Sequence, residues 1–160
     1  MEINYEPIDQ PPVWVLGKAA FCAPQSAGET IAGLWRRANE EFAAIAPLIL
    51  RGETGAPLGL WGAMLDENLA FHRWGPGGGW YLAGCQAGAD TAAPPGWTLW
   101  SMPGYRALCA RVPEAQNAQA FKETLDRLHS MGLALCGAVQ ERYDPSLPGD
   151  VWLYFPVKKI

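Results

Sequence analysis

The sequence predicts an α+β protein. It reads as two β-α-β-β repeats related by a pseudo-twofold, forming an antiparallel sheet with both helices on one side and a groove between the halves. Three observations carry this. Short apolar runs of strand length alternate with two segments of helical periodicity. The order strand, helix, strand, strand occurs twice along the 160 residues. Landmarks also recur at a fixed offset: Trp14 and Tyr105 lie 91 positions apart (105 − 14), as do Leu34 and Leu125 (125 − 34). The halves share element order rather than residue identity. The chain 1–160 reads as one domain, with a first half to about residue 88, a linker over about 89–96 and a second half from about 97.

Pro11-Pro12 precedes an apolar run from Val13 to Cys22, which suits a strand starting just after proline. Ser26-Ala27-Gly28-Glu29 has the spacing of a capping box. Ile31, Leu34, Trp35, Ala38, Phe42 and Ile45 follow at helical spacing, with Pro47 marking the end. Strands are expected over Leu58–Leu65 and Gly79–Ala87, joined by a hairpin connection with a flexible Gly75-Pro76-Gly77-Gly78-Gly79 run. That run lacks the spacing and following helix of a phosphate loop.

Thr91-Ala92-Ala93-Pro94-Pro95-Gly96 has linker composition. A strand over Trp97–Met102 then turns at Pro103-Gly104 into another over Tyr105–Val112. The second helix sets Phe121, Leu125 and Leu128 against Lys122, Glu123, Asp126 and Arg127, and Gly132 supplies the left-handed residue that ends it. Two final strands, Ala138–Tyr143 and Val151–Val157, close the repeat. The expected groove lies between the halves on the face the helices do not cover, a usual place for small-molecule pockets.

Hydrophobic residues make up 49% of the chain and charged residues 18%, enough for a sizeable core. The net charge is −4, and the one basic run is Lys158-Lys159. Direct nucleic-acid binding, which needs clustered Lys and Arg, is therefore not expected, whereas a cationic ligand is. No stretch approaches the apolar length of a membrane span. Met1-Glu2-Ile3-Asn4-Tyr5-Glu6 lacks the basic start of a signal peptide, so a cytoplasmic location is expected. Cys22, Cys85, Cys109 and Cys136 are widely spaced, and with only His72 and His129 beside them they predict buried thiols and no metal site. Neither histidine is paired with a nucleophile at a meaningful spacing, and no cofactor is implied.

The strongest chemical signal is Gln140-Glu141-Arg142-Tyr143-Asp144, which puts a carboxylate inside an apolar strand of a chain holding 8 Trp, 5 Tyr and 5 Phe. An ionised carboxylate out of water must be paired, and aromatic faces attract cations. Alternation puts Glu141, Tyr143 and Val139 on one face and Gln140 and Arg142 on the other; both faces are mixed, so burial stays open. Tyr154 and Trp152 share a face of the last strand, and Trp61 and Tyr81 lie on the corresponding strands of the first half. Trp35 suits core packing or pocket lining. Each ring alone fits a core; together they are too many for one of this size.

Pro94-Pro95-Gly96-Trp97, Met102-Pro103-Gly104-Tyr105-Arg106-Ala107, Glu141-Arg142-Tyr143-Asp144 and Leu153-Tyr154-Phe155-Pro156-Val157-Lys158-Lys159 occur in this order and spacing. The series resembles the GyrI-like effector-binding domains, the ligand-binding halves of AraC-type and MerR-type regulators. Leu34-Trp35-Arg36-Arg37 and Tyr81-Leu82-Ala83-Gly84 are similar to the stand-alone, integron-cassette type. The resemblance implies a pocket for lipophilic, cationic, aromatic compounds. Glu141 would pair with the ligand charge, and Tyr81, Tyr143 and Tyr154 would supply rings; Trp61, Trp35 and Trp152 complete the candidate site. The chain shows no helix-turn-helix, so it is expected either to act with a separate transcription regulator or simply to bind the compound. Some proteins of this type hydrolyse cyclopropane-containing genotoxins. The resemblance therefore leaves a hydrolase as the alternative, with Glu141 as general acid or base and Tyr143 or Tyr81 as hydrogen-bond donor. Inhibition of another enzyme is a third reading.

Overall fold

The computed structural model describes residues 2–160. In chain order the elements are β1 (Asn4–Gln10), β2 (Val13–Cys22), α1 (Ala27–Glu40), β3 (Leu60–Leu65), β4 (Gly79–Ala87), β5 (Thr98–Met102), β6 (Tyr105–Pro113), α2 (Asn117–Ser130), β7 (Gln140–Tyr143) and β8 (Asp150–Lys159). All eight strands join one sheet in the order β1-β6-β8-β7-β3-β4-β2-β5, and every pairing is antiparallel. The two repeats meet where β3 pairs with β7, so the pseudo-twofold passes through that seam.

Each half has one strand more than the β-α-β-β order predicts. β1 leads the first half and pairs with β6 of the second, while β5 leads the second and pairs with β2 of the first. The halves thus exchange their leading strands. β1 is absent from the sequence reading because Asn-Tyr-Glu-Pro-Ile-Asp-Gln is polar and holds a proline, the profile of an edge strand with little burial to mark it.

Short connections force the sheet to curl. Only Pro11-Pro12 separates β1 at one edge from β2 near the other, and only Pro103-Gly104 separates β5 from β6. Three virtual bonds of the chain span at most about 11 Å, so the two edges meet at that end. Gly104 sits at the junction: a Cβ there would lie 3.0 Å from Pro12 Cδ and 3.3 Å from the Gln10 carbonyl oxygen. Curling brings Val13, Val15, Trp61, Leu82, Tyr105 and Tyr154 into one core on the helix-free face. On the other face α1 buries Leu34 against Cys22, Tyr81 and Ala83. There α2 buries Ala120 and Leu128 against Val151, Leu153 and Phe155. α2, and α1 as far as Ala38, follow the apolar spacing that predicted them.

Two local expectations need correction. Ser26 occupies the N-cap of α1, but its side chain makes no capping bond; the Thr30 hydroxyl and amide both donate to the Ser26 carbonyl instead. The helix also ends before Pro47. Glu41 leaves helical geometry at φ −104°, ψ 15°, and Phe42–Ala44 form a single 3₁₀ turn. That tightening still turns Ile45 inward, where it is buried with Leu16 and Trp97. Gly132 has the left-handed φ of 72° expected of it.

Gly17 and Gly84 are paired across β2 and β4. A Cβ on Gly17 would collide with the Ala83 carbonyl, and one on Gly84 with the Leu16 carbonyl. Close backbone approach, rather than turn geometry, requires glycine at both positions. Gly17→Ala and Gly84→Ala are each expected to destabilise the fold by about 1–3 kcal/mol through overpacking. A lower urea midpoint at unchanged slope would show it; an unchanged midpoint would refute the crowding argument.

Candidate functional site

The site is built on the β3–β7 seam. Backbone pairing there is short: Leu60, Trp61 and Gly62 face Tyr143, Arg142 and Glu141. One residue further along, the Gln140 side chain takes over. The Met64 N–H donates to Gln140 Oε1 at 2.8 Å, and Gln140 Nε2 donates to the Met64 carbonyl at 2.9 Å. A buried amide thus pairs with the β3 backbone as a neighbouring strand would, and both of its ends are satisfied.

Opposite Gly62, the Glu141 side chain rises on the helix-bearing face. Tyr81 Oη donates to Glu141 Oε1 at 2.7 Å, Tyr143 Oη donates to the same oxygen at 3.4 Å, and Asn117 Nδ2 donates to Oε2 at 2.8 Å. Trp35 Nε1 donates in turn to Tyr81 Oη at 3.0 Å, and the Trp35 and Tyr143 rings meet edge-on at 5.4 Å. Glu141 is only 8% exposed. Burial holds its pKa above the ordinary carboxylate value; the donors Tyr81, Asn117 and Tyr143 oppose that rise, and the like charge of Glu114 adds to it. Burial and the Glu141 charge push both tyrosine hydroxyls upward, Tyr81 well above the ordinary phenol value. They stay protonated and serve as donors.

Beside this network a cavity of about 450 Å³ opens between the C-terminal half of α1 and the sheet. Trp35, Phe42, Trp97 and Tyr143 supply its rings, Ile45 and Leu60 its aliphatic wall, and Glu114 its one acidic side chain; no Lys, Arg or His lines it. Cys85 also faces it, its thiol pushed up to about 11 by burial and so unreactive as a thiolate. Lys18 braces the wall from outside. Its ammonium donates to Glu41 Oε1 at 3.1 Å and to the Gly96 carbonyl at 2.9 Å, and lies 4.3 Å from the Trp97 ring centre.

The structure divides the sequence-predicted residues between two faces. Glu141, Tyr81, Tyr143 and Trp35 converge on the helix-bearing face. Trp61, Tyr154 and Trp152 belong to the opposite core, where Trp61 meets Tyr154 edge-on at 5.3 Å and Arg111 lies 5.0 Å from the Trp152 ring. Strand alternation explains the split: Trp61 and Gly62 point oppositely, as do Tyr154 and Leu153. The cavity is accordingly on the face that carries the helices, not on the uncovered face the sequence suggested. The curled sheet fills its uncovered face with its own side chains. The sequence reading missed Asn117 and Glu114 as site residues. The clue available was the segment from Val112 to Asn117, where a strand gives way to a helix start with a carboxylate and an amide one turn apart.

Two expectations follow. Gly62→Ala would put a methyl onto Tyr81 Oη and 2.7 Å from Glu141 Oε1, and should lower stability by about 1–3 kcal/mol. Wild-type stability in urea would rule this out. Glu141 is a weaker acid folded than unfolded, so the folded state holds its proton more tightly. Its contribution is therefore full at acid pH and falls as pH rises through the folded value. Relative to Glu141→Gln, the wild type should lose thermal stability between pH 4 and pH 8; a pH-independent difference in Tm would contradict the direction of the shift.

No protein-family model matches the sequence, and no curated protein matches it. Solved structures do. The protein SAV2435, in a structure bound to tetraphenylphosphonium, superposes with a TM-score of 0.69 at 17% identity, covering 99% of this chain and 94% of that one. The EcmrR C-terminal domain gives 0.69 at 16% identity, with 100% of both chains covered. An integron cassette protein from the mobile metagenome of Vibrio cholerae gives 0.60 at 9% identity, over 96% and 95%. The similarity spans nearly the whole chain, and SAV2435 and the EcmrR domain are GyrI-like effector-binding domains. This chain has the GyrI-like effector-binding fold.

Proposed function

We propose that the protein is an effector-binding module for lipophilic aromatic cations, held in the cavity between α1 and the sheet, and that it acts with a separate transcription regulator. The observation that carries this reading is a buried carboxylate beside a ring-lined cavity that has no basic side chain on its wall. Burying such a charge without a cation is unfavourable, and the hydrogen bonds from Tyr81, Tyr143 and Asn117 offset only part of that. Trp35, Trp97 and Tyr143 offer faces or edges to a flat ligand, and a cation beside ring faces gains about 0.5–2 kcal/mol. The volume suits a drug-sized molecule. Tetraphenylphosphonium, held by a protein of the same fold, is a compound of this chemistry.

Glu141 reaches the cavity through Tyr143, whose ring lines the wall while its hydroxyl points to the carboxylate. A bound cation stabilises the ionised form of Glu141, so binding should strengthen as pH rises through its titration. Two outcomes are expected in a tryptophan-fluorescence titration with tetraphenylphosphonium, since Trp35 and Trp97 line the cavity. The wild type should quench saturably, with affinity rising from pH 5 to pH 8. Glu141→Gln should bind about tenfold more weakly, or about 1.4 kcal/mol, with a flat pH profile. Equal affinity in the variant, or absent binding in the wild type, would sink this reading. Turnover of a cyclopropane electrophile that stops in Glu141→Gln would replace it with hydrolysis.

A further inference from the structure

We infer that Glu114, rather than Glu141, is the carboxylate that meets the ligand's charge. The cavity on this view selects cations whose charge sits at one end of an aromatic body. The inference rests on the cation-binding reading above and specifies how the ligand lies in that same site.

Occupancy of the two carboxylates separates their roles. Both Glu141 oxygens are taken by protein donors, at 2.7 Å and 3.4 Å on Oε1 and 2.8 Å on Oε2, and the residue does not line the cavity. Between it and the cavity stands Tyr143, whose ring is on the wall and whose hydroxyl is on the carboxylate. Glu114 is the reverse: exposed, on the cavity wall, and without a side-chain hydrogen bond or ion pair among the described residues. It carries the only formal charge on that wall.

The backbone holds Glu114 in place. It opens the short 3₁₀ turn Glu114–Gln116 that leads into α2, and its N–H donates to the Gly149 carbonyl at 2.7 Å. Asn117, one turn on, grips Glu141. One segment of the second half thus places a free carboxylate at the cavity and fixes the buried one behind Tyr143. The like charge of Glu114 already raises the proton affinity of Glu141 and Tyr143, a repulsion that a cation beside Glu114 would relieve.

Polarity across the cavity then sets the ligand's orientation. Glu114 is exposed on the cavity wall, whereas Ile45 and Cys85 are buried there and Trp35 and Leu60 half-buried. An aromatic body with a terminal ammonium can bury its rings inward and keep its charge beside Glu114 in partial contact with water. An ion with its charge at the centre, shielded by rings on every side, gains less from Glu114.

The test compares (1-naphthylmethyl)trimethylammonium with 1-neopentylnaphthalene, its neutral isostere, and with tetraphenylphosphonium, by calorimetry on wild type and Glu114→Gln. Glu114→Gln should weaken the ammonium probe about tenfold at low salt, and less at high salt because the carboxylate is exposed. The neutral probe should be unchanged, and tetraphenylphosphonium should lose about threefold or less. Equal ammonium affinity in wild type and variant would overturn the assignment of Glu114. An equal loss for all three probes would overturn the orientation, since it would report damage to the cavity. Failure of the wild type to bind either cation would defeat the underlying reading instead, and so is distinguishable from a failure of the Glu114 assignment.

Discussion

The hydrogen-bonded Glu141 carboxylate is the constraint around which the rest of the molecule is arranged. Three donors converge on it from three elements: Tyr81 from β4, Asn117 from the first turn of α2, and Tyr143 from its own strand. Trp35 ties α1 to the same network through Tyr81. A charge this deeply buried is tolerated only when its lone pairs are filled. Moving any one of these elements would strand either the carboxylate or a donor. The network therefore fixes the position of both helices relative to the seam between the halves.

Sheet geometry makes room for that network. At Gly62 the missing side chain leaves space for the Tyr81 hydroxyl, and at Met64 the Gln140 amide stands in for a strand that has moved away. The seam is consequently a place where the sheet is held by side chains rather than by a continuous backbone ladder. Exchange of the leading strands supports it from outside, because β1 and β5 bind each half to the other at both edges. Curling then consumes the helix-free face with Trp61, Tyr154 and Tyr105. The ring-lined cavity lies beneath α1, next to the network. Tyr143 lies on the cavity wall with its hydroxyl on the Glu141 carboxylate, and Glu114 lies on the same wall.

Much of this was legible in the sequence, for identifiable reasons. Apolar periodicity located both helices, since each needs one buried stripe. Short apolar runs located seven strands. A carboxylate within such a run singled out Glu141, and alternation grouped it with Tyr143. What was not legible depends on contacts distant along the chain. The polar β1 carries no periodic signal because only its pairing with β6 orders it. Assigning Trp61, Tyr154 and Trp152 to the face of Glu141 required knowing the parity of three strands relative to one another, which register alone fixes. Asn117 lies 24 positions from the carboxylate it grips, and Glu114 is an ordinary surface acid until the cavity beside it is seen. The groove was assigned to the wrong face because nothing local in the sequence reveals the curl; the two short Pro-containing connections do, once the strand order is known.

The central claim is that a ligand's positive charge is felt by Glu141 inside the sheet. Isotope-edited infrared spectroscopy of the Glu141 carboxyl, followed across pH with and without tetraphenylphosphonium, tests this most directly. The account predicts that the protonated carbonyl band persists to a pH above the ordinary carboxylate range in the free protein, and that saturating cation moves its titration to lower pH. A carboxyl that titrates in the ordinary range, or whose titration ignores the bound cation, would contradict it.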